Sequence, residues 1–390
     1  MFDFDEPIDR RQTHSMKWDM MEPLFGVAPE DGISMWVADM DFRPPPAVMA
    51  ALAREIEGGV PGYYGDDRAY RAAVQGWMAR RHGWEVDPAA ILTTHGLVAA
   101  VGMCLQAYTE PGDGIILFTP VYHAFARVIA ANDRRVVESR LVERDGRYHM
   151  DLDALAAALT GRERMVVFCS PHNPGGRIWS VAEQRALAEF CVTHDLTLVS
   201  DEIHHDLLMP GETHVPMAVA APEVADRLVM LTATTKTFNI AGGLTGNAIV
   251  ADEGLRAKLA ARIAAAGGSP NRFGAIMATA AYAEGDAWLD ALRAYLAGNA
   301  QAFDEWIEAI PGLRSMRLQS TYLSWVDFRG TGMEQAEILR RLRDDARIAA
   351  SPGPQFGGGG EGWMRFNIAM PRARILEAVG RLQAAFGDLQ

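Results

Sequence analysis

The feature that most limits the fold of this chain is an alternation of short apolar runs with amphipathic stretches, from about residue 45 to residue 285. Such alternation is typical of α/β proteins, in which helices connect the strands of a mainly parallel sheet. The runs are apolar on both faces, which indicates a sheet covered by helices on each side. We therefore predict a three-layer α/β large domain. Its strands are predicted at 91–93, 114–118, 135–139, 165–169, 196–200, 228–232 and 247–250, and its helices at 97–108, 124–131, 152–159 and 181–194.

The pattern changes after residue 285. A long helical pattern begins at Asp286 and stops at Pro311, and strand-like runs then alternate with two further helices. This mixture predicts a smaller α+β domain over residues 286–390, beside a large domain over residues 46–285. Residues 1–45 contain no clear helix, so we expect an N-terminal arm that forms part of the small domain or packs on a partner subunit.

Charge and composition exclude several classes of protein. The net charge of −13, without a local basic patch, is unfavourable for a nucleic-acid-binding protein. No apolar run is long enough to span a bilayer, and the acidic N-terminus is unlike a signal peptide. The three cysteines have no close spacing, which indicates buried thiols in a reducing compartment. We therefore expect a soluble, cytoplasmic protein with no nucleic-acid or membrane partner.

Lys236 follows a predicted strand and stands among small, hydroxylated and apolar residues, with no acid nearby in the sequence. A buried lysine without a carboxylate partner is costly to keep charged, so desolvation lowers its pKa and frees the amine as a nucleophile. A lone lysine more often lays its stem on the sheet and keeps its ammonium in water. Features that follow other strands favour the chemical interpretation.

Three of these features stand at the sheet edge where ligands bind in open α/β folds. Gly96 opens a helix, and the free amides of a helix start can hold a phosphate. Asn173 precedes a proline in a rigid turn, which fixes its side chain. Asp201 stands where a buried acid needs a cationic partner. Histidines follow Asp201, but no further ligand appears at metal-binding spacing, so we predict no metal site.

A lysine, an acid, an asparagine and a phosphate-type turn together predict a site for pyridoxal 5′-phosphate (PLP). The lysine would hold the cofactor covalently as a Schiff base, and the acid would keep the ring nitrogen protonated. The asparagine would bond the ring hydroxyl, and the helix start would bind the phosphate.

Several sequence strings also carry a family resemblance; they lie at residues 35–42, 120–122, 170–179, 200–204, 236–242, 320–325 and 365–369. Through them the chain resembles, nearly end to end, the fold-type I PLP enzymes of the aminotransferase class I and II superfamily. More narrowly, it is similar to the MalY/PatB group of cystathionine β-lyases, or cysteine-S-conjugate β-lyases. The strings at 36–42 and 201–204 favour the lyase group, because ordinary aminotransferases more often carry a tyrosine where His204 stands.

The resemblance implies a role for each residue around the cofactor. Lys236 would hold PLP and act as general base, and Asp201 would pair with the ring nitrogen. Asn173 and His204 would reach the ring hydroxyl, and Tyr122 would stack on the ring. The implied catalytic residues are Lys236, Asp201, Tyr122 and Tyr63.

The phosphate and the substrate have implied residues of their own. Gly96 and Leu97 would offer backbone amides to the phosphate, and Tyr63 would reach the phosphate of a second subunit in a homodimer. The adjacent Tyr64 leaves this last assignment ambiguous by one residue. Arg365 would take the substrate carboxylate in a bidentate pair, and Ala38 and Asn173 would also contact the substrate.

Two positions depart from the family pattern. The family usually has a serine three residues before the lysine, and Ala233 stands there in this chain. Thr235, or else Thr232 or Thr234, would then have to contribute the hydroxyl to the phosphate. The turn after Asn173 also reads Pro-Gly-Gly, where the middle residue is more often threonine or valine.

The resemblance implies a PLP-dependent enzyme that cleaves the Cβ–S bond of cystathionine or another L-cysteine conjugate, giving a thiol, pyruvate and ammonia. The first alternative is an aminotransferase acting on an L-amino acid, which shares the early steps. The second is a regulatory binding protein with a vestigial PLP site. The sequence does not determine which thiol is the leaving group.

Overall fold

The computed structural model describes residues 2–389. Its α-helices are α1 (Met16–Asp19), α2 (Met21–Phe25), α3 (Pro46–Glu57), α4 (Arg68–His82), α5 (Leu97–Tyr108), α6 (Ala124–Ala131), α7 (Leu152–Ala158), α8 (Val181–Thr193), α9 (Met217–Ala220), α10 (Thr234–Thr237), α11 (Glu253–Ala265), α12 (Arg272–Glu284), α13 (Asp286–Ile307), α14 (Gln335–Arg340) and α15 (Arg372–Phe386). Its strands are β1 (Ile33–Ser34), β2 (Ile91–Thr94), β3 (Gly114–Thr119), β4 (Arg135–Arg140), β5 (Val142–Arg144), β6 (Arg147–His149), β7 (Glu163–Cys169), β8 (Thr197–Asp201), β9 (Leu228–Thr232), β10 (Gly246–Ile249), β11 (Arg314–Ser315), β12 (Leu323–Asp327), β13 (Ile348–Ala349), β14 (Ser351–Pro352) and β15 (Trp363–Asn367).

The large sheet has the strand order β2-β10-β9-β8-β7-β3-β4. Strand β10 runs antiparallel to both of its neighbours, and every other neighbouring pair is parallel. The connection from β9 to β10 contains only the short α10 and a 3₁₀ turn, rather than the full crossover helix that a parallel pair needs. The prediction of a mainly parallel sheet is confirmed.

Helices cover both faces of this sheet. Along β3, Ile115 and Leu117 contribute to one apolar core together with α5, α6 and α11, while Ile116 and Phe118 contribute to the other together with α4, α8 and α12. This division follows the two-residue period of a strand, whose successive side chains point to opposite faces. The predicted three-layer α/β arrangement is therefore confirmed.

A second, antiparallel sheet follows, in the order β11-β12-β15-β14. Helices α13 and α15 pack against each other and share the apolar core of this region. Of the strand-like runs that we expect after Pro311, the first is observed only as the two residues of β11. The division of the chain into domains at residues 45 and 285 stays a prediction.

The N-terminal arm contains two helices where we expected none. Helices α1 and α2 have four and five residues, too few turns for an apolar period of 3.6 residues to be recognised. Strand β1 pairs in parallel with β13, which attaches the arm to the second half of the chain.

A buried ionic network fixes the end of this arm. The Nζ of Lys17 donates to Asp41 Oδ2 at 2.7 Å and to the carbonyl oxygen of Asp39 at 2.9 Å. Arg10 bridges the carboxylates of Asp39 and Asp41 at 2.8 and 2.9 Å. Because buried charges persist only when they are paired, this network holds residues 39–41 in one position.

Cys104, Cys169 and Cys191 are buried free thiols, as predicted. Within the described part of the chain, no helix combines the length and the apolar character needed to cross a membrane.

Candidate active site

A cavity of about 510 Å³ lies beside the carboxyl ends of β7, β8 and β9 and the start of α5. This is the edge at which parallel α/β sheets bind ligands. The cavity is lined by all but one of the predicted site residues, namely Ala38, Gly96, Leu97, Tyr122, Asn173, Asp201, His204, Thr235, Lys236 and Arg365. Tyr63 is the exception.

Lys236 projects into this cavity from the single turn α10, directly after β9. Its Nζ donates to the carbonyl oxygen of Ala38 at 2.5 Å, so the arm forms the opposite wall. Burial lowers the pKa of Lys236 to about 8, and the charge of Arg365 acts in the same direction, while Asp39 and Asp201 oppose it. About a tenth of this amine is therefore uncharged at pH 7, far more than for an ordinary lysine, and this fraction can act as a nucleophile or base.

Asp201 is the last residue of β8 and is 4% exposed. Its Oδ1 accepts one hydrogen bond from the amide of Ile203 at 3.1 Å. Burial raises the pKa of Asp201 to about 7. In residues 2–389, no arginine, lysine or histidine side chain forms an ion pair with this carboxylate, so it is a buried acid that lacks a cation.

Arg365 is a buried cation without an anion. Its guanidinium donates to three neutral oxygens: Asn173 Oδ1 at 3.1 Å, the carbonyl oxygen of Trp36 at 2.6 Å and Ser351 Oγ at 3.3 Å. Burial lowers the pKa of Arg365 to about 10, so it stays charged at neutral pH. Its Nε has no partner in the part of the chain that the structure describes. This arrangement suits a carboxylate ligand.

Asn173 and His204 are buried polar side chains on the same cavity. Because Asn173 Oδ1 already accepts from Arg365, its Nδ2 amide is the group left to donate to a ligand. Burial lowers the pKa of His204 to about 3, so its imidazole is neutral. The Nδ1 of His204 has no hydrogen-bond partner among the described residues.

The start of α5 provides the anion-binding amides. Gly96 precedes the helix with φ +87°, a conformation that favours glycine, and no side chain caps the helix start. Of the three candidate hydroxyl residues, Thr235 lines the cavity, whereas Thr232 and Thr234 do not. Ala233 is buried and has no hydroxyl.

The two predicted tyrosines differ in position. Tyr122 follows β3 and lines the cavity, with its ring 5.0 Å from that of His123. Tyr63 is fully exposed, at 100%, and does not line the cavity of its own chain. Tyr64 is half-buried and packs on the core, so Tyr63 is the member of the doublet that projects outward.

Several cavity residues escaped the sequence reasoning. His123, Arg127 and Ser351 line the wall, and none of them lies at a strand end with a recognisable motif. Trp36 stands in a string that was noticed, but its backbone contact with Arg365 joins residues 329 positions apart. Contacts of this range leave no local sequence signal.

Asp206 holds the turn that carries Lys236 in place. Its carboxylate accepts hydrogen bonds from Trp77 Nε1 at 3.0 Å, His82 Nε2 at 2.7 Å and Thr237 Oγ1 at 2.8 Å. Since Thr237 directly follows Lys236, Asp206 anchors the turn that carries the amine. The side chains of His82, His205 and Asp206 lie close together, a proximity that sequence spacing did not indicate.

Cys169 ends β7 and forms part of the cavity wall. Its Sγ contacts the carbonyl oxygen of Pro171 at 3.5 Å and the amide of Asn173 at 3.4 Å. Burial raises the pKa of this thiol well above its usual value, so it stays protonated.

These groups fit PLP. The nucleophilic amine of Lys236 suits its aldehyde, and the unpaired acid of Asp201 suits its ring nitrogen. The amides of Gly96 and Leu97 suit its phosphate. Arg365 remains for the carboxylate of an amino-acid substrate.

Comparison with known proteins agrees with this set of groups. The model of the family "Aminotransferase class I and II" matches residues 30–382. The chain is 39% identical over 385 residues to cystathionine β-lyase PatB of Bacillus subtilis, covering 98% of this chain and 99% of that one. It is 31% identical to protein MalY of Escherichia coli, covering 98% of each chain. Cystalysin from Treponema denticola, whose crystal structure contains PLP, superposes with a TM-score of 0.96 at 34% identity over 100% of both chains.

Proposed function

We propose that this chain, which belongs to the aminotransferase class I and II family, is a PLP-dependent carbon–sulfur β-lyase. Its substrate would be cystathionine or another L-cysteine conjugate, and its products a thiol, pyruvate and ammonia. Relatives that cover nearly the whole chain bear the name cystathionine β-lyase. We further propose a cytoplasmic homodimer.

One observation carries the proposal: a lysine amine that is partly uncharged, an unpaired carboxylate and an unpaired guanidinium line one cavity. Lys236, Asp201 and Arg365 come from α10, β8 and β15, which lie far apart in the chain. Keeping such groups buried without partners costs stability, and this cost is expected where a bound molecule supplies the partners.

Each residue then has a defined task. Arg365 binds the α-carboxylate of the substrate and orients its Cα–H bond toward Lys236. The Nζ of Lys236 takes the proton from Cα as general base. When bound, PLP supplies an electron-accepting ring for the pair that this proton leaves behind. With PLP bound, Asp201 would hold a proton at the ring nitrogen, and Asn173 Nδ2 would donate to the ring hydroxyl.

The decisive experiment offers L-cystathionine to the purified, PLP-loaded protein without any keto acid. We expect pyruvate and homocysteine in equal amounts. Lys236→Ala should abolish both turnover and the absorbance band of the covalently held cofactor. A wild-type protein that binds PLP through Lys236 but releases no pyruvate from any cysteine conjugate would refute the lyase assignment.

An aminotransferase is the second candidate, favoured by one relative in particular. The chain is 31% identical over 369 residues to arginine–pyruvate transaminase AruH of Pseudomonas aeruginosa. Proton removal by Lys236 serves both reactions, so the site alone does not separate them. Product formation that depends strictly on an added keto acid would support transfer instead of elimination.

The homodimer rests on Tyr63, which is fully exposed in the isolated chain. We propose that Tyr63 reaches the phosphate site of a second subunit. Subunits carrying Lys236→Ala and subunits carrying Tyr63→Phe should then complement each other when mixed. In a two-fold dimer at equal mixing, about a quarter of the sites regain both residues. No gain of activity on mixing, with dimers present, would exclude this role for Tyr63.

The vestigial-site alternative can be tested with the same variant. If Lys236→Ala abolishes turnover but leaves the cellular role of the protein intact, that role belongs to binding rather than catalysis.

A further inference from the structure

The cavity contains one more cation than PLP and an α-carboxylate require. Among residues 2–389, its lysine and arginine lining residues are Lys236, Arg365 and Arg127, and its one acidic lining residue is Asp201. In the proposed function, Lys236 reacts with the cofactor aldehyde, Asp201 faces the ring nitrogen and Arg365 takes the α-carboxylate. Arg127 is left without a task.

Arg127 stands next to a second unassigned group. His123 precedes α6 and Arg127 lies four residues later, so both side chains project from the same face of the helix toward the cavity. In residues 2–389, neither side chain donates a hydrogen bond or forms an ion pair, and the Nδ1 of His123 is buried without a partner. The start of α6 thus carries one exposed guanidinium, which water solvates, and one buried ring nitrogen that has no partner among residues 2–389.

His123 is half-buried and Arg127 is exposed, and both line the same cavity. Burial lowers the pKa of His123 to about 4, and the charges of Arg365 and Arg127 act in the same direction. Both arginines also influence Tyr122, the residue expected to stack on the cofactor ring. This wall lies near the reacting centre, since Tyr122, His123 and Arg127 line the same cavity as Lys236.

Resting on the proposed function, we propose that His123 and Arg127 form a second anion subsite, which binds a carboxylate on the thiol portion of the substrate. The preferred substrates would be S-(carboxyalkyl)-L-cysteines and cystathionine, whose distal end carries a carboxylate. A substituent that ends in a cation and carries no carboxylate is disfavoured, because Asp201 is the one acid among residues 2–389 that lines the cavity, and it faces the cofactor ring.

The test compares two conjugates of nearly equal shape, S-(2-carboxyethyl)-L-cysteine and its neutral amide, S-(2-carbamoylethyl)-L-cysteine. Arg127→Gln and His123→Gln should each lower the ratio of kcat/KM for the acid to that for the amide, Arg127→Gln by about 10-fold. Arg144→Gln, which changes an exposed arginine outside the cavity, should leave this ratio unchanged. Arg127→Glu should raise the relative kcat/KM for S-(2-aminoethyl)-L-cysteine, a gain that misfolding does not produce.

Measuring binding instead of turnover tests the anion subsite independently of the lyase assignment. The dissociation constants of both conjugates are measured from the absorbance change of the bound cofactor in the same variants. If the wild type binds the acid more tightly than the amide and Arg127→Gln removes the difference, the subsite stands even when no pyruvate forms. If the acid-to-amide ratios of affinity and of kcat/KM are the same in wild type, Arg127→Gln and His123→Gln, the subsite is refuted.

Discussion

Replacing Asp201 by asparagine should stabilise the cofactor-free protein while it impairs the enzyme. The pKa of this buried carboxyl rises from its usual value of 3.8 to about 7. Below pH 4 it is protonated in both the folded and the unfolded chain and has no effect on stability. As the pH rises from 4 to 7, the unfolded chain ionises first, so the folded state loses free energy relative to it, and the loss is complete above pH 7.

The size of the effect follows from these values. The difference between 3.8 and about 7 corresponds to a destabilisation of about 4 kcal/mol at pH 8 and about 2 kcal/mol at pH 5. Asp201→Asn removes the ionisation, and its Oδ1 can still accept from the amide of Ile203. The Nδ2 group of the new asparagine would lack an acceptor, which costs about 1 kcal/mol and reduces the stabilisation by that amount. The net stabilisation is therefore expected to be about 3 kcal/mol at pH 8 and about 1 kcal/mol at pH 5.

Urea unfolding of the cofactor-free proteins at several pH values measures this directly. Asp145→Asn, which removes the same charge from an exposed turn, is the matched control and should change stability by less than about 0.5 kcal/mol. With PLP bound the order should reverse, since the cofactor ring supplies the missing cation. The reasoning is refuted if the cofactor-free Asp201→Asn protein is no more stable than the wild type at pH 8, or if its gain in unfolding free energy is the same at pH 5 and pH 8. Either result would show that burial does not raise the pKa of this carboxyl.

Three further outcomes follow from the described contacts. Arg365→Lys keeps the charge but loses the bidentate pair, and should lower kcat/KM by about 10²-fold with the fold intact by circular dichroism. Lys17→Met removes one of the cations that neutralise Asp41; it should cost about 3 kcal/mol in urea unfolding, and a cost below about 0.5 kcal/mol would mean that the buried pair contributes nothing. In the cofactor-free protein, an amine-specific acylating reagent should label Lys236 half-maximally near pH 8, because the lowered pKa frees the amine above that value.

Reasoning from strand ends and helix starts predicted Gly96, Asn173, Asp201 and Lys236, and the family resemblance added the other six predicted residues that line the cavity. The carboxyl ends of parallel strands meet at one edge, so residues that follow β7, β8 and β9 had to converge there. The same reasoning recovered the strands of the large sheet, whose apolar runs are long enough to be recognised. The outward position of Tyr63 agrees with a role in a second subunit, although that role stays a prediction.

Other features had no local signature. Helices α1 and α2 are each about one turn long, so no apolar period marks them. Sequence proximity suggested that Lys236 has no acid nearby, yet Asp39 and Asp201 both act on its pKa from distant parts of the chain. His123 and Arg127 look like ordinary residues of a helix start until the fold turns them toward the cavity.

The protonated Cys169 in the cavity wall bears on how long such an enzyme can work. Every turnover of the proposed reaction sets free a thiol within reach of this sulfur, and thiols join other sulfurs through the thiolate form. A buried cysteine that does not ionise offers no partner for mixed disulfides, even when an oxidised product lingers. Because the apolar surroundings of β7 keep Cys169 protonated, the enzyme would resist inactivation by its product although a cysteine lines its cavity.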